Sequence, residues 1–243
     1  MQWLKTRVKD LLAKRFEIPE VRHGLMRLRD QGFTPKTVFD VGAYKGEFAA
    51  LALDLWPLCR ILCFEPLPDR QNDLNRFKNK HDGVEVYPYL LGSSEKESVT
   101  LNCAETASSV LVEHYSKHNP IHCLQRTLDS VSRVDHAPAL LKLDVQGYEL
   151  EVLKGAVETL AFVEVILAEI NFLDIHIGVA LHAEITVWLS DHGFAAYDIC
   201  SLIRRPLDRA LWQADMIFVR TDSALRADKR WVGEPSQSTI PKG

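Results

Sequence analysis

The chain has 243 residues, of which 47% are hydrophobic and 26% charged, and its formal net charge is −4. This composition is ordinary for one globular domain with short additions, and the acidic balance makes nucleic acid an unexpected partner because it gives no general attraction to polyphosphate. No apolar run reaches the roughly 18 residues that a membrane span needs, and no signal-peptide pattern opens the chain, so we expect a cytoplasmic location.

A basic amphipathic segment, MQWLKTRVKDLLAKRF, begins the sequence. Its apolar residues fall on one helical stripe: Trp3, Leu4, Val8, Leu11, Leu12 and Phe16. Such a helix can lie on an anionic membrane as a peripheral anchor, mediate self-association, or pack on its own domain, and the sequence leaves these alternatives open. A second helix is predicted over 19–31, bounded by Pro19 and Gly32, so residues 1–34 are expected to form a helical extension.

From residue 37 onward, apolar strands alternate with helices. The predicted strands are 37–41, 61–65, 84–87, 139–143, 163–169, 195–199 and 215–220, and the predicted helices are 45–56, 68–78, 148–160 and 181–192. Alternation of this length is typical of a parallel sheet covered by helices on both faces. The last two strands have no helix between them, which predicts an antiparallel hairpin at the sheet edge. Short additional strands are predicted at 98–101 and 125–128.

The sequence therefore predicts an α/β fold, a three-layer sandwich around a mostly parallel seven-stranded sheet with an antiparallel edge hairpin. This domain is expected to span residues 35–220. The polar segment after it, residues 221–243, contains Pro235 and Pro241 and is expected to be a flexible tail.

The first predicted strand leads into a glycine turn, in TVFDVGAYKGEF (37–48). Gly42 permits a tight turn, and Gly46 lets the following helix pack near the strand. The spacing is G-x-x-x-G, not the G-x-G-x-x-G of dinucleotide-binding proteins, and Asp40 would face a pyrophosphate with a charge of the same sign. A cationic ligand suits this carboxylate better, which makes S-adenosylmethionine, with its sulfonium and amino groups, the candidate cofactor.

The second predicted strand ends on an acid, Glu65, which is followed by Pro66. Glu65 follows Gly46 by roughly 20 residues, the interval at which a carboxylate meets ribose hydroxyls in this architecture. The alternative is that Asp40 only caps a helix and Glu65 is a surface acid.

With these residues in place, the chain resembles the FkbM-type branch of the S-adenosylmethionine-dependent class I methyltransferases. The similar blocks are FDVGAYKGEF (39–48), FEP (64–66), ASSVL (107–111), LKLDVQGYELEVLKGA (141–156), AEINF (168–172) and QADMIFVR (213–220). One departure is Tyr44, where the family usually has Asn. The resemblance implies a Rossmann-like class I methyltransferase domain over 35–220.

The resemblance also implies which residues bind the cofactor. Asp40, Gly42 and Gly46 are expected to hold its amino-acid end, and Glu65 its ribose. The full candidate set is Asp40, Gly42, Ala43, Gly46, Glu65, Pro66, Ser109 and Asp144.

Three further side chains with oxygen atoms follow strand ends at the same sheet edge. Asp144 ends the fourth parallel strand, and Glu169 and Asn171 end the next one, so the three could converge on the acceptor side of the cofactor. They could bind a divalent cation such as Mg²⁺, or Asp144 or Glu169 could act as a metal-free base or bind substrate. Alternatively, Asp144 and Gln146 could only cap the helix that follows.

The candidate catalytic residues are therefore Asp144, Glu169 and Asn171, which are also the candidate metal ligands. The resemblance implies O-methylation of a hydroxyl on a sugar, glycolipid or secondary metabolite. One alternative is an NAD(P)-binding Rossmann oxidoreductase, which the missing middle glycine and Asp40 disfavour. The other is a non-catalytic cofactor-binding module that recruits partners through the basic N-terminal helix.

Overall fold

The computed structural model describes residues 18–103, 109–111, 119–132 and 137–232. The predicted basic helix within residues 1–17 and the end of the predicted tail, residues 233–243, lie outside these ranges. None of the helices in the described ranges is long and apolar enough to cross a membrane.

The chain alternates between strands and helices, as the sequence predicts. The helices are α1 (Val21–Asp30), α2 (Glu47–Leu55), α3 (Pro68–Lys78), α4 (Leu128–Val131), α5 (Glu149–Lys154) and α6 (His182–Asp191). The strands are β1 (Thr37–Val41), β2 (Arg60–Phe64), β3 (Val84–Tyr87), β4 (Leu90–Leu91), β5 (Lys96–Cys103), β6 (Asn119–Arg126), β7 (Ala139–Leu143), β8 (Val163–Asn171), β9 (Phe194–Ile199), β10 (Ile203–Arg204) and β11 (Leu211–Arg220). Short 3₁₀ turns occur at Thr159–Ala161 and Ala224–Arg226.

The main sheet has the order β3-β2-β1-β7-β8-β11, with β9 and β10 both paired to β11. Strands β1, β2, β3, β7 and β8 are parallel, whereas β11 runs antiparallel to both β8 and β9. The predicted mostly parallel sheet with an antiparallel edge hairpin is confirmed, and the two-residue strand β10 adds an eighth strand to the predicted seven. The second strand of that hairpin, not the first, lies next to β8.

Helices cover both faces of this sheet, which confirms the predicted three-layer sandwich. One apolar core lies against α5 and α6, through residues such as Val152 and Ile185. The other lies against α1, α2 and α3, through residues such as Leu25, Ala49 and Leu74. Every residue of β1 and β7 is buried because helices cover both sides of the sheet.

Helix α1 packs on the same face as α2 and α3. Its Leu25 and Leu28 are fully buried, and its Arg22 forms an ion pair with Asp54 of α2, with 2.7 Å between Nη2 and Oδ2. After β11, the Ser223 hydroxyl donates to Glu164 at 2.6 Å. The described part of both predicted flanking segments therefore contacts the central domain.

The region between β3 and β7 differs from the prediction. Strands β4, β6 and β5 form a separate three-stranded sheet, with β5 and β6 longer than the predicted 98–101 and 125–128. Strand β6 ends at Arg126 because Thr127 caps α4: its Oγ1 accepts a hydrogen bond from Ser130 N at 3.1 Å.

The predicted helix over 148–160 is wrong beyond its first turns. Helix α5 ends at Lys154, with Gly155 as C-cap. The Asp129 carboxylate then accepts hydrogen bonds from the N–H groups of Glu158 and Thr159, at 3.0 and 2.7 Å. Because these backbone donors bond outside the segment, the chain leaves the helix and continues as a 3₁₀ turn.

Candidate active site

A cavity of about 420 Å³ lies at the carboxyl ends of the parallel strands. This is the edge where open α/β sheets bind ligands, and the volume is in the range of small-molecule sites. Two of its walls carry the polar groups. The glycine-turn wall consists of Gly42, Ala43, Tyr44, Glu65 and Pro66, and the carboxylate wall consists of Lys142, Asp144, Glu169 and Asp215.

The glycine turn is locked against two neighbouring strands. The N–H groups of Gly42 and Ala43 donate to the Phe64 carbonyl of β2, at 3.0 and 3.1 Å. Gly42 has a φ of +77°, and a Cβ there would lie 1.9 Å from the Asp144 carbonyl oxygen. Only glycine therefore lets the first motif contact the backbone after β7.

Glu65 is a buried carboxylate bound by local backbone donors. Its Oε2 accepts a hydrogen bond from Tyr44 N at 2.9 Å, and its Oε1 accepts one from Leu67 N at 3.0 Å. Burial raises the pKa of this carboxyl despite the two N–H donors. Each oxygen retains capacity for a further donor, so Glu65 fits the two hydroxyls of a ribose.

Some predicted cofactor residues do not line the cavity. Asp40 is fully buried and forms an ion pair with Lys142, with 3.2 Å between Oδ1 and Nζ. Gly46 is the N-cap of α2, with a φ of +88°, and lies against Leu74 and Phe77 of α3. Gly42, Ala43, Glu65, Pro66 and Asp144 do line it.

Lys142 is a site residue that the sequence reasoning missed. Its Nζ donates to the Gly42 carbonyl at 2.7 Å and lies 3.6 Å from Asp144 Oδ2. Burial alone would lower the pKa of this amine, but the carboxylates of Asp40 and Asp144 outweigh burial and raise it. The signal for Lys142 was a single charge inside a fully buried strand, because a buried lysine needs charged partners.

Glu169 lies at the centre of the carboxylate wall. The Gln146 amide bridges two acids, since its Nε2 donates to Asp144 Oδ1 and to Glu169 Oε1, both at 3.0 Å. The Gln213 Nε2 donates to the same Glu169 oxygen at 2.7 Å. Burial, with the nearby charges of Asp144, Glu149 and Asp215, raises the pKa of Glu169 to about 9. Glu169 is therefore protonated near neutral pH.

The β8–β11 pairing brings Asp215 beside Glu169, as direct register partners. The Asp215 carboxylate accepts a hydrogen bond from Ser201 Oγ at 2.5 Å, and burial raises its pKa. From the sequence, no role is assigned to Asp215 or Gln213. Gln213 and Asp215 are spaced by two in a strand that is otherwise apolar up to Val219, which indicates that both side chains share one face.

The turn after β7 is held by Glu149 and Ser109. Gln146 and Gly147 have φ values of 53° and 96°. Glu149 Oε1 accepts hydrogen bonds from Val145 N and Gly147 N, both at 3.1 Å, and burial raises the pKa of this carboxyl to about 7. Ser109 does not line the cavity: its Oγ donates to the Gln146 carbonyl at 2.7 Å.

The helix-capping alternative for Asp144 and Gln146 does not describe α5. The N-cap of this helix is Tyr148, and it has no side-chain cap hydrogen bond. Both side chains instead belong to the network of the carboxylate wall.

The structure brings together two of the three predicted metal ligands. Asp144 and Glu169 share the cavity, but Asn171 is fully buried and does not line it. Its amide atoms have no hydrogen-bond partner among the described residues. Those residues also contain no group of three or more His, Cys, Asp or Glu side chains that could hold a metal ion. The donor set therefore gives the predicted divalent cation no support.

Comparison with known proteins identifies a family match within the chain. Residues 40–196 match the family model described as the methyltransferase FkbM domain. A search of curated proteins finds no significant match.

Solved structures of methyltransferases are also similar. An FkbM methyltransferase from Methylobacillus flagellatus KT is 20% identical with a TM-score of 0.48, over 76% of this chain and 43% of that chain. The chain thus spans less than half the length of that relative. Precorrin-6y C5,15-methyltransferase from Geobacter metallireducens GS-15 is 14% identical with a TM-score of 0.46, over 82% of this chain and 87% of that chain. The Burkholderia thailandensis 1,6-didemethyltoxoflavin-N1-methyltransferase, with S-adenosylhomocysteine bound, is 14% identical with a TM-score of 0.43, over 78% of this chain and 72% of that chain.

Proposed function

The chain belongs to the FkbM methyltransferase family, and on that premise we propose that it transfers the methyl group of S-adenosylmethionine to a hydroxyl of a sugar, glycolipid or secondary metabolite. The observation that carries the proposal is the lining of the cavity. It contains both the glycine turn with Glu65, an acid that can bind ribose hydroxyls, and the carboxylate wall. The cofactor supplies an already activated methyl group on its sulfonium. The protein's own residues must bind the two reactants, orient them and remove one proton.

The glycine-turn wall binds the cofactor. Glu65 has both oxygens fixed by backbone N–H groups and accepts hydrogen bonds from the ribose hydroxyls. Gly42, Ala43 and Pro66 form the adjoining surface. Asp40 supports the cofactor site indirectly. It stabilises the Lys142 ammonium, which in turn donates a hydrogen bond to the Gly42 carbonyl. Gly46 and Ser109 support the two turns from outside the cavity.

The carboxylate wall binds and deprotonates the acceptor. The Asp144 side chain is 41% exposed, so a hydroxyl in the cavity can reach it, and its carboxylate accepts the proton. Glu169, protonated near neutral pH, donates a hydrogen bond that orients the acceptor. Asn171 has no direct contact with the reactants in this scheme, since it is buried away from the cavity.

The charge of the cavity favours an acceptor without anionic groups. Besides Glu169, which is protonated near neutral pH, its described lining contains four acids: Glu47, Glu65, Asp144 and Asp215. Lys142 is the one basic residue in that lining, and it is already paired with Asp40 and Asp144. A phosphate or carboxylate on the acceptor would face uncompensated repulsion, whereas neutral hydroxyls find acceptors for their hydrogen bonds.

Two measurements test the proposal. Isothermal titration should show binding of S-adenosylhomocysteine and none of NAD(P); the reverse result would support the oxidoreductase alternative. Labelled methyl donor should then label neutral hydroxylated sugars or lipids, and their phosphorylated counterparts should be poor acceptors. Cofactor binding without transfer to any member of the panel would support a non-catalytic module.

The role of Asp144 has its own variant. Asp144→Asn keeps the shape and the hydrogen bond from Gln146 but removes the base, so transfer should fall by a factor of about 100 or more while S-adenosylhomocysteine still binds. An equal loss of binding would assign Asp144 to the cofactor. If methyl transfer is lost in EDTA and recovered in Mg²⁺, the reaction needs a metal ion and the metal-free scheme is wrong.

A further inference from the structure

The loop that joins β9 to β11 exposes large apolar side chains beside arginines. We call residues 201–210, which include β10, the arginine hairpin. Leu202, Ile203 and Leu207 in this segment are 46%, 43% and 83% exposed. Single exposed leucines are common on protein surfaces, but here three large apolar side chains are exposed within six residues of one short segment, and such a concentration of apolar side chains is a candidate interaction site.

The arginine hairpin is locally basic on an acidic chain. Arg205 is paired with Asp208, with 2.7 Å between Nη2 and Oδ2, and this pair closes the turn together with the bond from Ala210 N to Asp208 Oδ1. Arg204 and Arg209 are exposed, and neither takes part in any ion pair among the described residues. Arg204 Nη1 donates to the Arg209 carbonyl at 3.0 Å, and each guanidinium retains further N–H donors that can meet an external anion.

The hairpin lies at the same sheet edge as the cavity. In β10, Ile203 is the register partner of Gln213 and Arg204 that of Leu211. The Gln213 amide donates to Glu169 in the cavity wall. Strand pairing therefore connects the arginine hairpin to Gln213, whose side chain bonds Glu169 in the carboxylate wall.

We propose that the arginine hairpin docks the protein on the surface of an anionic lipid bilayer. Leucine and isoleucine side chains enter the interface, and the remaining N–H donors of Arg204 and Arg209 contact lipid phosphates. A soluble phosphate would satisfy the arginines but would leave the apolar side chains in water. A second copy is a poorer occupant, because β10 has only two residues and is followed by Arg205 and Pro206, which leaves little strand edge to pair with.

Vesicle binding by the full-length protein tests this proposal. The probes are vesicles of phosphatidylcholine containing phosphatidylglycerol, and vesicles of phosphatidylcholine alone, in a sedimentation assay at low salt. We expect binding to the anionic vesicles, weaker binding to the neutral ones, and loss of binding as salt screens the charges. Absence of binding to the anionic vesicles overturns the proposal.

Variants then assign the binding to the hairpin. Arg204→Glu combined with Arg209→Glu should lower the partition coefficient at least tenfold, because each arginine near such a surface contributes about a factor of five. Leu207→Asp should lower it about tenfold, since a leucine no longer enters the interface.

The matched controls lie elsewhere on the surface. Arg76→Glu with Lys80→Glu makes the same change in net charge at exposed positions near the end of α3. Leu58→Asp alters a leucine that is 99% exposed just before β2, at the opposite sheet edge. Both controls should bind vesicles like the parent. Equal losses in controls and hairpin variants, or no loss in either, would refute the assignment.

A different occupant would also be visible. If the parent is a dimer by light scattering and Leu207→Asp makes it monomeric without changing vesicle binding, the hairpin is a self-association surface and the membrane proposal is wrong. Vesicle binding needs neither cofactor nor methyl transfer, so this result is independent of the proposed function.

Discussion

The two polar walls of the cavity are built in different ways. In the glycine-turn wall, Glu65 is satisfied by backbone N–H groups, those of Tyr44 and Leu67. In the carboxylate wall, Glu169 depends on side-chain amides from distant segments, Gln146 and Gln213, and shares its surroundings with other acids. Backbone geometry therefore positions Glu65 in the first wall. In the second wall, the charges of neighbouring carboxyl groups depend on one another and change with pH.

The difference has a functional consequence. Backbone donors do not titrate, so the only titratable group in the hydrogen bonds described for Glu65 of the glycine-turn wall is the Glu65 carboxyl, whose pKa burial raises. The carboxylate wall contains groups whose pKa is displaced toward neutral or alkaline values, which is a frequent property of sites that bind or move protons. The following predictions test this contrast, from the largest expected effect to the smallest.

Gly42→Ala should have the largest effect, because it places a Cβ against the Asp144 carbonyl and requires a positive φ from alanine. We expect a loss of about 2–5 kcal/mol in the free energy of unfolding, measured by urea denaturation, and loss of S-adenosylhomocysteine binding. The matched control is Gly193→Ala, at a φ of +82° with nothing within 4 Å of the added Cβ. The control should lower the free energy of unfolding by about 1 kcal/mol. Equal losses in both variants would mean that the contact between Gly42 and the Asp144 backbone is unimportant for stability.

Glu65→Gln should weaken the binding of S-adenosylhomocysteine by a factor of about 10–100 in isothermal titration, because hydrogen bonds to a charged acceptor contribute about 1.5–3 kcal/mol each. The glutamine also places an NH₂ group against a backbone N–H, of Tyr44 or Leu67. The control, Glu85→Gln, removes a carboxylate that pairs with Arg60 on the next strand, away from the cavity lining. Unchanged affinity in Glu65→Gln would remove Glu65 from the cofactor site.

Glu169→Gln tests the carboxylate wall through pH. The pKa of Glu169 is raised in the folded protein, so the folded state holds a proton that the unfolded state releases, and Glu169 lowers stability as pH rises from about 4.5 to about 9. The glutamine removes this loss. Compared with the variant, the parent should lose up to about 1.4 kcal/mol over one pH unit around pH 7 in urea denaturation. Parallel pH profiles of parent and variant would contradict the raised pKa.

Glu149→Gln should give a smaller effect in a narrower window. The pKa of Glu149 is raised to about 7, so its contribution to the pH dependence is complete near pH 7, whereas that of Glu169 continues to about pH 9. The glutamine keeps an acceptor for Val145 N and Gly147 N, so stability at pH 5 should stay within about 1 kcal/mol of the parent. A difference that keeps growing above pH 8 would show that the two carboxyls titrate as one coupled pair.

The glycine-turn wall could be predicted from sequence because its signals are local. Gly42, Glu65 and Pro66 follow strand ends, and a strand, a glycine turn and a helix define where such residues lie. The same logic gave the bounds of β1, β3, β7 and α3 without error. This logic could not show that Asp40 is buried away from the cavity lining. Its ion-pair partner, Lys142, is 102 residues away in the chain.

The sequence by itself determined the order of strands and helices, the edge hairpin and the family, because these follow from hydrophobic periodicity and from short motifs. Only the tertiary structure decided that Lys142 lies between Asp40 and Asp144, that Glu169 meets Gln146, Gln213 and Asp215, and that Asn171 is buried away from the cavity. The physical reason is that strand register and burial set these contacts and pKa values. Both depend on which distant segments pack together, which no local pattern specifies.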